Sequence, residues 1–449
     1  MSQDRRTFLR NAGLTLGSAL APALPASAFA AGGAPDATTY DFDTLPSRVG
    51  IDSTKWDEQI RVYGKEHMDV GMGIADMDFA LAPFITKALV DRIQRDNMGY
   101  MTTPQSHTEA IVAWNKRRYG LDIDPKTVVH SPAAHPAIIA ALRAFSPAGT
   151  RVLMPSPSYS GFYSDIRVVG CTPADVPFTL RDGRYSMDFE ALERTIAHDT
   201  NTLILCNPQN PTGNVWSKQD LLTLGEICLK HRVVVLADEI HCDFVHAGST
   251  YTPFASLPNE AVVRNSITFK SASKSFNLIG TKCAYFFTTN PDYKARVLKW
   301  HRDEISTLGM VAHRTAYTEG DAWLDQLRTY IDANLTFVDE YMRKNVPPLV
   351  TMVKPQGTYL AWLDVSGLVE KVGARRTAAE QNRTRDAALA PLKPSNIMQQ
   401  WFIDHARVQL NAGAPFGTGG EERMRMNCAT SRAMLRKALD NIATAVKAV

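Results

Sequence analysis

The sequence has few cysteines for its length, and none of them stands in a pattern that binds zinc or builds a disulfide framework. The 449 residues contain six cysteines, and no two form a Cys-x-x-Cys pair. Several lie in apolar runs, as Cys206 does after Leu203-Ile204-Leu205. A free cysteine in such a run behaves as a small hydrophobic residue. The cysteine pattern therefore argues against a disulfide scaffold and against a metal site.

The chain also lacks an excess of charge of either sign. It has 49 basic and 46 acidic residues, a net charge of +3. Proteins that bind nucleic acid usually carry a strong basic field, so we expect no nucleic-acid partner. Hydrophobic residues make up 45% and charged residues 21%, as in soluble globular proteins. This composition excludes a disordered chain and a multi-span membrane protein. At about 150 residues per domain, the length of 449 residues predicts two to three domains.

No long apolar run is present beyond the first thirty residues, and those thirty have the features of an export signal. Arg5 and Arg6 precede a stretch without charge that lasts until Asp36, and Ala-x-Ala patterns occur before residue 31. A basic start, an apolar middle and a small-residue cleavage site are typical of a signal peptide. Paired arginines followed by Phe-Leu resemble a twin-arginine signal. A membrane anchor is the alternative, but the weak hydrophobicity and Pro25 disfavour a stable membrane span.

From this pattern we expect residues 1–30 to be a twin-arginine signal peptide. The partner of that segment would be the twin-arginine export machinery, and the mature protein would be periplasmic or otherwise exported. The twin-arginine route carries folded proteins, so any cofactor could be loaded in the cytoplasm before transport.

After residue 30, apolar segments alternate between strand-like and helix-like patterns. Short apolar runs at residues 202–206, 232–237 and 265–269 are typical of buried strands, and helical patterns separate them. We therefore expect an α/β fold with a mainly parallel central sheet covered by helices on both faces. Sheets of this kind bind ligands at the carboxyl ends of their strands. Ser106-His-Thr-Glu109 matches a capping box, which predicts a helix that runs on to Gly120.

The pattern changes after about residue 320. A long helical stretch from Asp321 to about Lys344 leads into an alternating, strand-like segment at 357–364, which predicts a second, smaller α+β domain. Residues 371–396 are charged and rich in alanine, and we interpret them as an insertion loop. The expected boundaries are 1–30 for the signal, 31–85 for an N-terminal segment of the small domain, 86–325 for the large domain and 326–449 for the C-terminal part of the small domain.

Four polar or aromatic residues, Tyr159, Asn210, Asp238 and Lys274, follow apolar strands and are candidates for a site at the sheet edge. Lys274 stands between small residues, and a lysine shielded from water is a better nucleophile, as imine formation with an aldehyde requires. Each has a simpler interpretation by itself. Lys274 could form a salt bridge, Asp238 could cap a helix, Asn210 could belong to an ordinary turn, and Tyr159 could be a core aromatic.

Taken in order with Arg425, these residues resemble the fold-type I pyridoxal-phosphate enzymes of the aminotransferase class I/II superfamily. The segments Asn-Pro-Thr-Gly, Asp-Glu-Ile-His and Ser-x-Ser-Lys carry the resemblance, which extends from about Tyr40 to Val449. Ile-Ala-Asp-Met-Asp-Phe-Ala at 74–80 and Thr-Tyr-Leu-Ala-Trp-Leu-Asp at 358–364 are similar to the cystathionine β-lyase or C–S lyase branch (MalY/PatB type). The resemblance implies the fold-type I transferase fold, with a large domain and a smaller one.

The resemblance also implies that pyridoxal 5'-phosphate is the cofactor and assigns roles around its ring. Lys274 would bond to the cofactor aldehyde and later act as general base. Asp238 would pair with the ring nitrogen, and Tyr159 would stack on the ring. Asn210 and His241 would lie near the ring 3-oxygen, although a structural role for His241 is the alternative.

Further roles concern the phosphate and the substrate. The resemblance places Ala133, Ala134, His135, Ser271, Lys282 and Tyr100 at the phosphate. Relatives often have glycine where Ala133 and Ala134 stand, and arginine where Lys282 stands. Tyr100 would come from the neighbouring subunit, which implies a homodimer. Arg425, with Asn210, would hold the α-carboxylate of a small amino-acid substrate.

Three functions are compatible with these residues. The branch motifs favour a carbon–sulfur β-lyase that converts cystathionine or related cysteine S-conjugates to a thiol, pyruvate and ammonia. An aminotransferase that acts on an amino acid and a 2-oxo acid uses the same lysine, aspartate and arginine. A cofactor-binding protein with an interaction or regulatory role is the third alternative.

Overall fold

The computed structural model of the protein describes residues 38–449. The predicted signal peptide lies outside the described residues and stays a prediction. Residues from Tyr40 to Val449 form one compact unit. Among the helices of the described part, none combines the length and the apolar character that crossing a bilayer needs.

A seven-stranded sheet forms the centre of the unit, in the order β2-β10-β9-β8-β7-β3-β4. Strands β3, β4, β7, β8 and β9 pair in parallel, whereas β10 is antiparallel to both of its neighbours. The expected α/β fold with a mainly parallel central sheet is therefore confirmed. The seven strands are β2 (Val128–Ser131), β3 (Arg151–Ser156), β4 (Thr172–Pro177), β7 (Thr200–Cys206), β8 (Val234–Asp238), β9 (Ser266–Lys270) and β10 (Ala284–Phe287).

A second sheet has four strands in the order β11-β12-β15-β14, and all of its pairings are antiparallel. Strand β1 pairs in parallel with β13, which joins the N-terminal segment to the C-terminal one. A small hairpin, β5-β6, completes the set. These eight strands are β1 (Val70–Gly71), β5 (Thr179–Arg181), β6 (Arg184–Ser186), β11 (Thr351–Met352), β12 (Leu360–Asp364), β13 (Val408–Gln409), β14 (Asn411–Ala412) and β15 (Arg423–Asn427).

Helices cover both faces of the central sheet and also surround the second sheet. In the described part of the chain they are α1 (Asp57–Tyr63), α2 (Pro83–Ile93), α3 (Gln105–Tyr119), α4 (Ala134–Phe145), α5 (Ser160–Val168), α6 (Phe189–Thr195), α7 (Lys218–Lys230), α8 (Glu260–Arg264), α9 (Ala272–Ser275), α10 (Pro291–Leu298), α11 (Thr307–Glu319), α12 (Asp321–Asn345), α13 (Ser366–Lys371), α14 (Ala374–Asn382), α15 (Pro394–Ala406) and α16 (Arg432–Lys447).

The central strands β7, β8 and β9 are buried on both of their faces and contain apolar residues on each face. Side chains alternate across a strand. Ile204 of β7 accordingly packs in a cluster with Ile138 of α4, whereas Leu203 packs on the opposite face in a cluster with Leu221 of α7. The continuous apolar run at 202–206 thus supplies hydrophobic side chains to two separate helix layers, as expected for a parallel sheet.

Two local predictions are wrong. Helix α3 begins at Gln105 after Pro104 and has no side-chain cap; the Ser106 hydroxyl accepts a hydrogen bond from Arg314 instead. Residues 371–396 are not one loop, because α14 lies within them and α15 begins at Pro394. In α14, Ala374 and Ala378 are buried, and the other residues are partly or fully exposed. Alanine, arginine and glutamate have high helix propensity, so this charged, alanine-rich composition is compatible with a helix.

The proposed division into domains stays a prediction. The seven-stranded sheet uses residues between Val128 and Phe287, and the four-stranded sheet uses residues between Thr351 and Asn427. Helix α12 runs without interruption across the expected boundary at residues 325 and 326. The boundary within the chain is thus bridged by a 25-residue helix.

Candidate active site

The largest group of candidate residues meets at one cavity of about 410 Å³, a size within the range of small-molecule sites. It lies at the carboxyl ends of the central strands, where β3, β7, β8 and β9 end, and β15 of the second sheet closes it. Ten of the twelve residues predicted from the sequence line this cavity: Ala133, Ala134, His135, Tyr159, Asn210, Asp238, His241, Ser271, Lys274 and Arg425.

Lys274 reaches the cavity from the short helix α9, which follows strand β9 directly. Its Nζ lies 3.4 Å from the carbonyl oxygen of Ala75, to which it donates. Burial, with the positive charge of Arg425 acting in the same direction, lowers the pKa of Lys274 to about 8. An amine with such a pKa is in part uncharged near neutral pH, so it can act as a nucleophile or as a base.

Asp238 is the last residue of strand β8 and is buried. Burial raises its pKa to about 6, while the Ile240 backbone N–H, 3.1 Å from Oδ1, opposes this shift. A cation placed beside this carboxylate would offset the cost of burying its charge. Asp238 is therefore suited to hold a protonated ring nitrogen.

His241 lies three residues beyond Asp238 and is also buried. Burial holds its pKa well below the usual range, and the charges of Lys274 and Arg425 act in the same direction. The ring is therefore neutral, and its Nδ1 has no hydrogen-bond partner among the described residues. A buried polar atom without a partner is costly, which fits a role toward a bound molecule.

Arg425 is fixed by contacts with two other segments. One terminal nitrogen donates to Asn210 Oδ1 at 3.1 Å, and the other donates to the carbonyl oxygen of Gly73 at 2.8 Å. Its guanidinium lies 4.9 Å from the ring centre of Phe416. Burial lowers the pKa of Arg425 to about 10, so it remains charged at neutral pH. A fixed, buried guanidinium is suited to bind a carboxylate.

The opposite end of the cavity has features of an anion site. Helix α4 begins at Ala134, and the first N–H groups of a helix have no partner within the helix and attract anions. His135 Nδ1 lies 2.6 Å from Asp165 Oδ2, and this hydrogen bond raises the pKa of His135. Its ring centre lies 5.5 Å from that of Tyr159. The helix end and a histidine whose pKa is raised thus stand together.

Ser271 and Ser273 differ from the expectation at this end. The Ser271 hydroxyl donates to the carbonyl oxygen of Cys283 at 2.8 Å and accepts from the Ser273 N–H at 3.0 Å. The hydroxyl of Ser273 is buried, lines the cavity and has no partner among the described residues. Ser273 was not predicted from the sequence, although it stands in the same Ser-x-Ser-Lys segment. The arrangement makes Ser273 the more available hydroxyl donor.

Lys282 and Tyr100 are not brought to the cavity in the described chain. Lys282 is exposed and has a left-handed backbone (φ 59°) after a short 3-10 turn. Tyr100 is fully exposed. Since neither lines the cavity, their roles at the phosphate stay predictions, and that of Tyr100 requires a second subunit.

Three further polar residues of the cavity wall, Asp76, Ser160 and Asn411, were not predicted from the sequence. Asp76 belongs to the segment at 74–80 that we used only for its resemblance. Asn411 forms the short strand β14 and has no motif around it. Only the spatial meeting of β14 with β15 brings Asn411 near Arg425, so no pattern along the chain could indicate it.

A buried cluster that includes Cys283 of the cavity wall has the residue types of a metal site. Ligand atoms of His107, Cys283 and His313 lie within 4.8 Å of one another. Their positions in the chain are far apart, so no spacing rule revealed them. His107 Nε2 lies 3.1 Å from His313 Nδ1, and burial lowers the pKa of His107 to about 3. A hydrogen bond between two neutral imidazoles accounts for this contact, and we assign no metal to it.

The α/β fold and the polar cavity at its strand ends are those of a protein that binds a small molecule. Comparison with known proteins identifies its family. Residues 68–442 match the family model described as aminotransferase class I and II. The chain belongs to this family.

The chain is similar along almost its whole length to two curated proteins. It is 34% identical to cystathionine beta-lyase PatB of Bacillus subtilis (strain 168), over 90% of this chain and 100% of the relative. It is 30% identical to protein MalY of Escherichia coli (strain K12), over 91% and 100%. Aspartate aminotransferase of Geobacillus stearothermophilus is more distant, with 26% identity over 84% and 91%.

Two solved structures of pyridoxal-phosphate-containing proteins have a fold similar to that of this chain. Cystalysin from Treponema denticola, whose structure contains pyridoxal 5'-phosphate, has a TM-score of 0.81 and 28% identity, over 92% of this chain and 100% of that one. The PLP-bound C–S lyase from Staphylococcus hominis has a TM-score of 0.79 and 26% identity, over 91% and 99%. The expected fold-type I transferase fold is thereby confirmed.

Proposed function

We propose that this protein is a pyridoxal-phosphate-dependent carbon–sulfur β-lyase. It cleaves cystathionine or related cysteine S-conjugates to a thiol, pyruvate and ammonia. The observation that carries the proposal is the meeting of Lys274, Asp238 and Arg425 around one cavity. Similarity to a named cystathionine β-lyase over the full length of that relative favours elimination over transamination, since fold and cofactor alone would not decide between them.

The residues of the cavity fit the cofactor. Lys274 offers an amine with a lowered pKa, Asp238 offers a buried carboxylate for the ring nitrogen, and the start of α4 offers N–H groups for the phosphate. Two buried polar atoms without partners, His241 Nδ1 and Ser273 Oγ, point the same way. When bound, pyridoxal phosphate acts as an electron sink that stabilises negative charge at the substrate Cα.

Side chains of the cavity bind the substrate and transfer protons during the reaction. Arg425, with Asn210, binds the substrate α-carboxylate and so orients the Cα–H bond. Lys274 Nζ removes the Cα proton as general base. Asp238 keeps a proton on the ring nitrogen. The Cβ–S bond breaks with its electron pair going to sulfur, and the released enamine hydrolyses to pyruvate and ammonia.

The test is a steady-state assay of the purified protein with cystathionine and no added 2-oxo acid. Catalytic formation of pyruvate and free thiol, lost in Lys274→Ala, is the expected result. No pyruvate, but transfer of the amino group once a 2-oxo acid is supplied, would make the protein an aminotransferase. A folded protein that takes up no pyridoxal phosphate would contradict both the lyase and the aminotransferase function.

Export forms a second part of the proposal. Residues 1–30 act as a twin-arginine signal, and the enzyme reaches the periplasm or an equivalent outer compartment with its cofactor already bound. The support is the Arg5-Arg6 pair, the stretch without charge and the Ala-x-Ala sites. Replacement of Arg5 and Arg6 by lysine should keep the full-length chain in the cytoplasm. Unchanged location of that variant would contradict the proposal.

A homodimer forms the third part. Tyr100 is fully exposed beside the half-exposed Met98, which suits a residue that a second subunit covers. In the proposed dimer, Tyr100 reaches the phosphate end of the neighbouring cavity and adds a hydroxyl donor there.

A further inference from the structure

The cavity wall contains a carboxyl group that the roles above do not use. Asp76 lines the cavity beside Ile74 and Ala75, and its Oδ1 is buried with no hydrogen-bond partner among the described residues. Because leaving such an oxygen without a partner costs free energy, its position needs a reason outside the packing of the protein.

The backbone around Asp76 is held rigidly. Met77 exchanges two hydrogen bonds with Asn277, each of 3.0 Å. The carbonyl oxygen of Asp76 accepts from Asn427 Nδ2 at 2.6 Å and from Lys55 Nζ at 3.2 Å. All four contacts use main-chain atoms of this segment, so its position does not depend on the Asp76 carboxyl. The side chain is therefore free for another task.

The same segment touches both ends of the reacting centre. Lys274 Nζ and the Tyr359 hydroxyl donate to the carbonyl oxygen of Ala75, at 3.4 and 2.8 Å, and Arg425 donates to the carbonyl oxygen of Gly73. Residues 73–77 thus form the wall that runs between the proposed base and the carboxylate clamp. Asp76 lines the same cavity as Lys274 and Arg425.

Burial favours the protonated form of the Asp76 carboxyl. Burial raises its pKa, and the neighbouring carboxylate of Asp78 acts in the same direction, whereas Lys55 and Arg48 oppose them. On the other side, the Asp76 charge raises the pKa of Lys274. A carboxyl group that keeps its proton can act as a general acid.

We propose that Asp76 is a catalytic residue, the acid that protonates the departing sulfur when the Cβ–S bond breaks. This inference rests on the lyase function proposed above. Lys274 accepts the Cα proton, sulfur leaves with the bonding electron pair and takes the proton of Asp76, and the Lys274 ammonium then returns a proton to the Asp76 carboxylate. No proton is gained or lost by the protein over the cycle, and a thiol is released in place of a thiolate.

The test compares two leaving groups in the wild-type enzyme and in Asp76→Asn, both with cofactor bound. The sulfur of cystathionine needs a proton, whereas the chloride of β-chloroalanine leaves without one. For Asp76→Asn we expect kcat with cystathionine to fall by about 10²-fold or more, as is typical when a general acid is lost. Turnover of β-chloroalanine should stay close to that of the wild type, and Asp76→Glu should recover part of the cystathionine activity.

Each other outcome has its own meaning. Equal loss on both substrates, or no loss on either, overturns the role of Asp76. A wild-type enzyme that forms no pyruvate from either substrate overturns the lyase function itself. The visible absorption of the bound cofactor and the thermal midpoint of Asp76→Asn serve as controls for folding. If that variant loses the cofactor, Asp76→Glu replaces it in the comparison, and equal loss on both substrates in Asp76→Glu overturns the role of Asp76.

Discussion

At the scale of single residues, Lys274 shows how burial prepares a side chain for chemistry. A free lysine has a pKa near 10.4, whereas burial beside Arg425 lowers the pKa of Lys274 to about 8. The fraction of neutral amine then rises roughly tenfold between pH 7 and pH 9 and is nearly constant above pH 9. We expect the rate at which the apo-protein binds pyridoxal phosphate covalently to follow this curve. Stopped-flow absorption measures it, and a rate that still rises steeply from pH 9 to pH 10 would contradict the lowered pKa.

Arg425 supports a second prediction at this scale. Removing one partner of a buried, hydrogen-bonded charge pair costs about 2–5 kcal/mol. For Arg425→Ala we therefore expect kcat/KM for an amino-acid substrate to fall from roughly 30-fold to several thousand-fold, with cofactor absorption unchanged. Arg425→Lys keeps the charge but loses the planar fork of the guanidinium. Its kcat/KM should therefore lie between that of the wild type and that of Arg425→Ala. An unchanged kcat/KM in Arg425→Ala would exclude the carboxylate clamp.

Motifs in the sequence revealed most residues of this site, but Asp76 and Ser273 stand within motifs and were not predicted. Asn210, Asp238 and Lys274 each follow an apolar strand, and the meeting of parallel strand ends at one edge made their proximity predictable. Asn411 reaches the cavity only through pairing of β14 with β15. Asp76 was visible within a motif, but its unpartnered oxygen becomes evident only in three dimensions. Lys282 stands in a motif-like position and yet lies at the surface.

At the scale of elements, a buried ion pair fixes the segment that leads into the cavity. Lys55 Nζ lies 2.9 Å from Asp78 Oδ2, and both side chains are almost fully buried. The other carboxylate oxygen accepts from Trp56 Nε1 at 3.0 Å. The pair joins the start of α1 to residues 76–78, so it positions the wall on which Asp76 stands.

Breaking this pair should destabilise the protein. Loss of one partner of a buried ion pair costs about 3–5 kcal/mol because the other charge stays buried. For Lys55→Met we expect the thermal midpoint to drop by about 3–6 °C, given the entropy of unfolding of a unit of this size. The double variant Lys55→Met/Asp78→Asn removes both charges, so its thermal midpoint should drop less than that of Lys55→Met. Calorimetry checks both, and a midpoint of Lys55→Met equal to the wild type would refute the prediction.

Element types were predictable where the hydrophobic period was long or the run was apolar on both faces. Helix α12 and strands β7, β8 and β9 correspond to their predicted segments. Helix α14 was missed because only Ala374 and Ala378 face inward, which leaves little hydrophobic period to detect. Its helical propensity was the better guide there. The start of α3 was misplaced because Ser106 bonds to another helix and not to its own N–H groups.

At the scale of the whole molecule, the site exists only because distant segments converge. Lys274 follows the central sheet, Arg425 lies in the second sheet and Gly73 belongs to the N-terminal segment, yet hydrogen bonds link all three regions at one cavity. The pairing of β1 with β13 supports the same convergence. Stability of the fold and geometry of the site are thus coupled, and changes in the N-terminal segment should affect catalysis.

The proposed homodimer makes the sharpest prediction at this scale, because it requires residues of two subunits in each site. Lys274→Ala and Tyr100→Ala should each be inactive or nearly so as pure dimers. In a hybrid of the two, one site combines an intact Lys274 with an intact Tyr100, whereas the other site lacks both. Random reassembly of equal amounts in a symmetric dimer should restore about a quarter of the wild-type activity. The mixture is refolded together and assayed for pyruvate, with each variant refolded alone as control. If the mixture is no more active than its components, Tyr100 does not serve the neighbouring site.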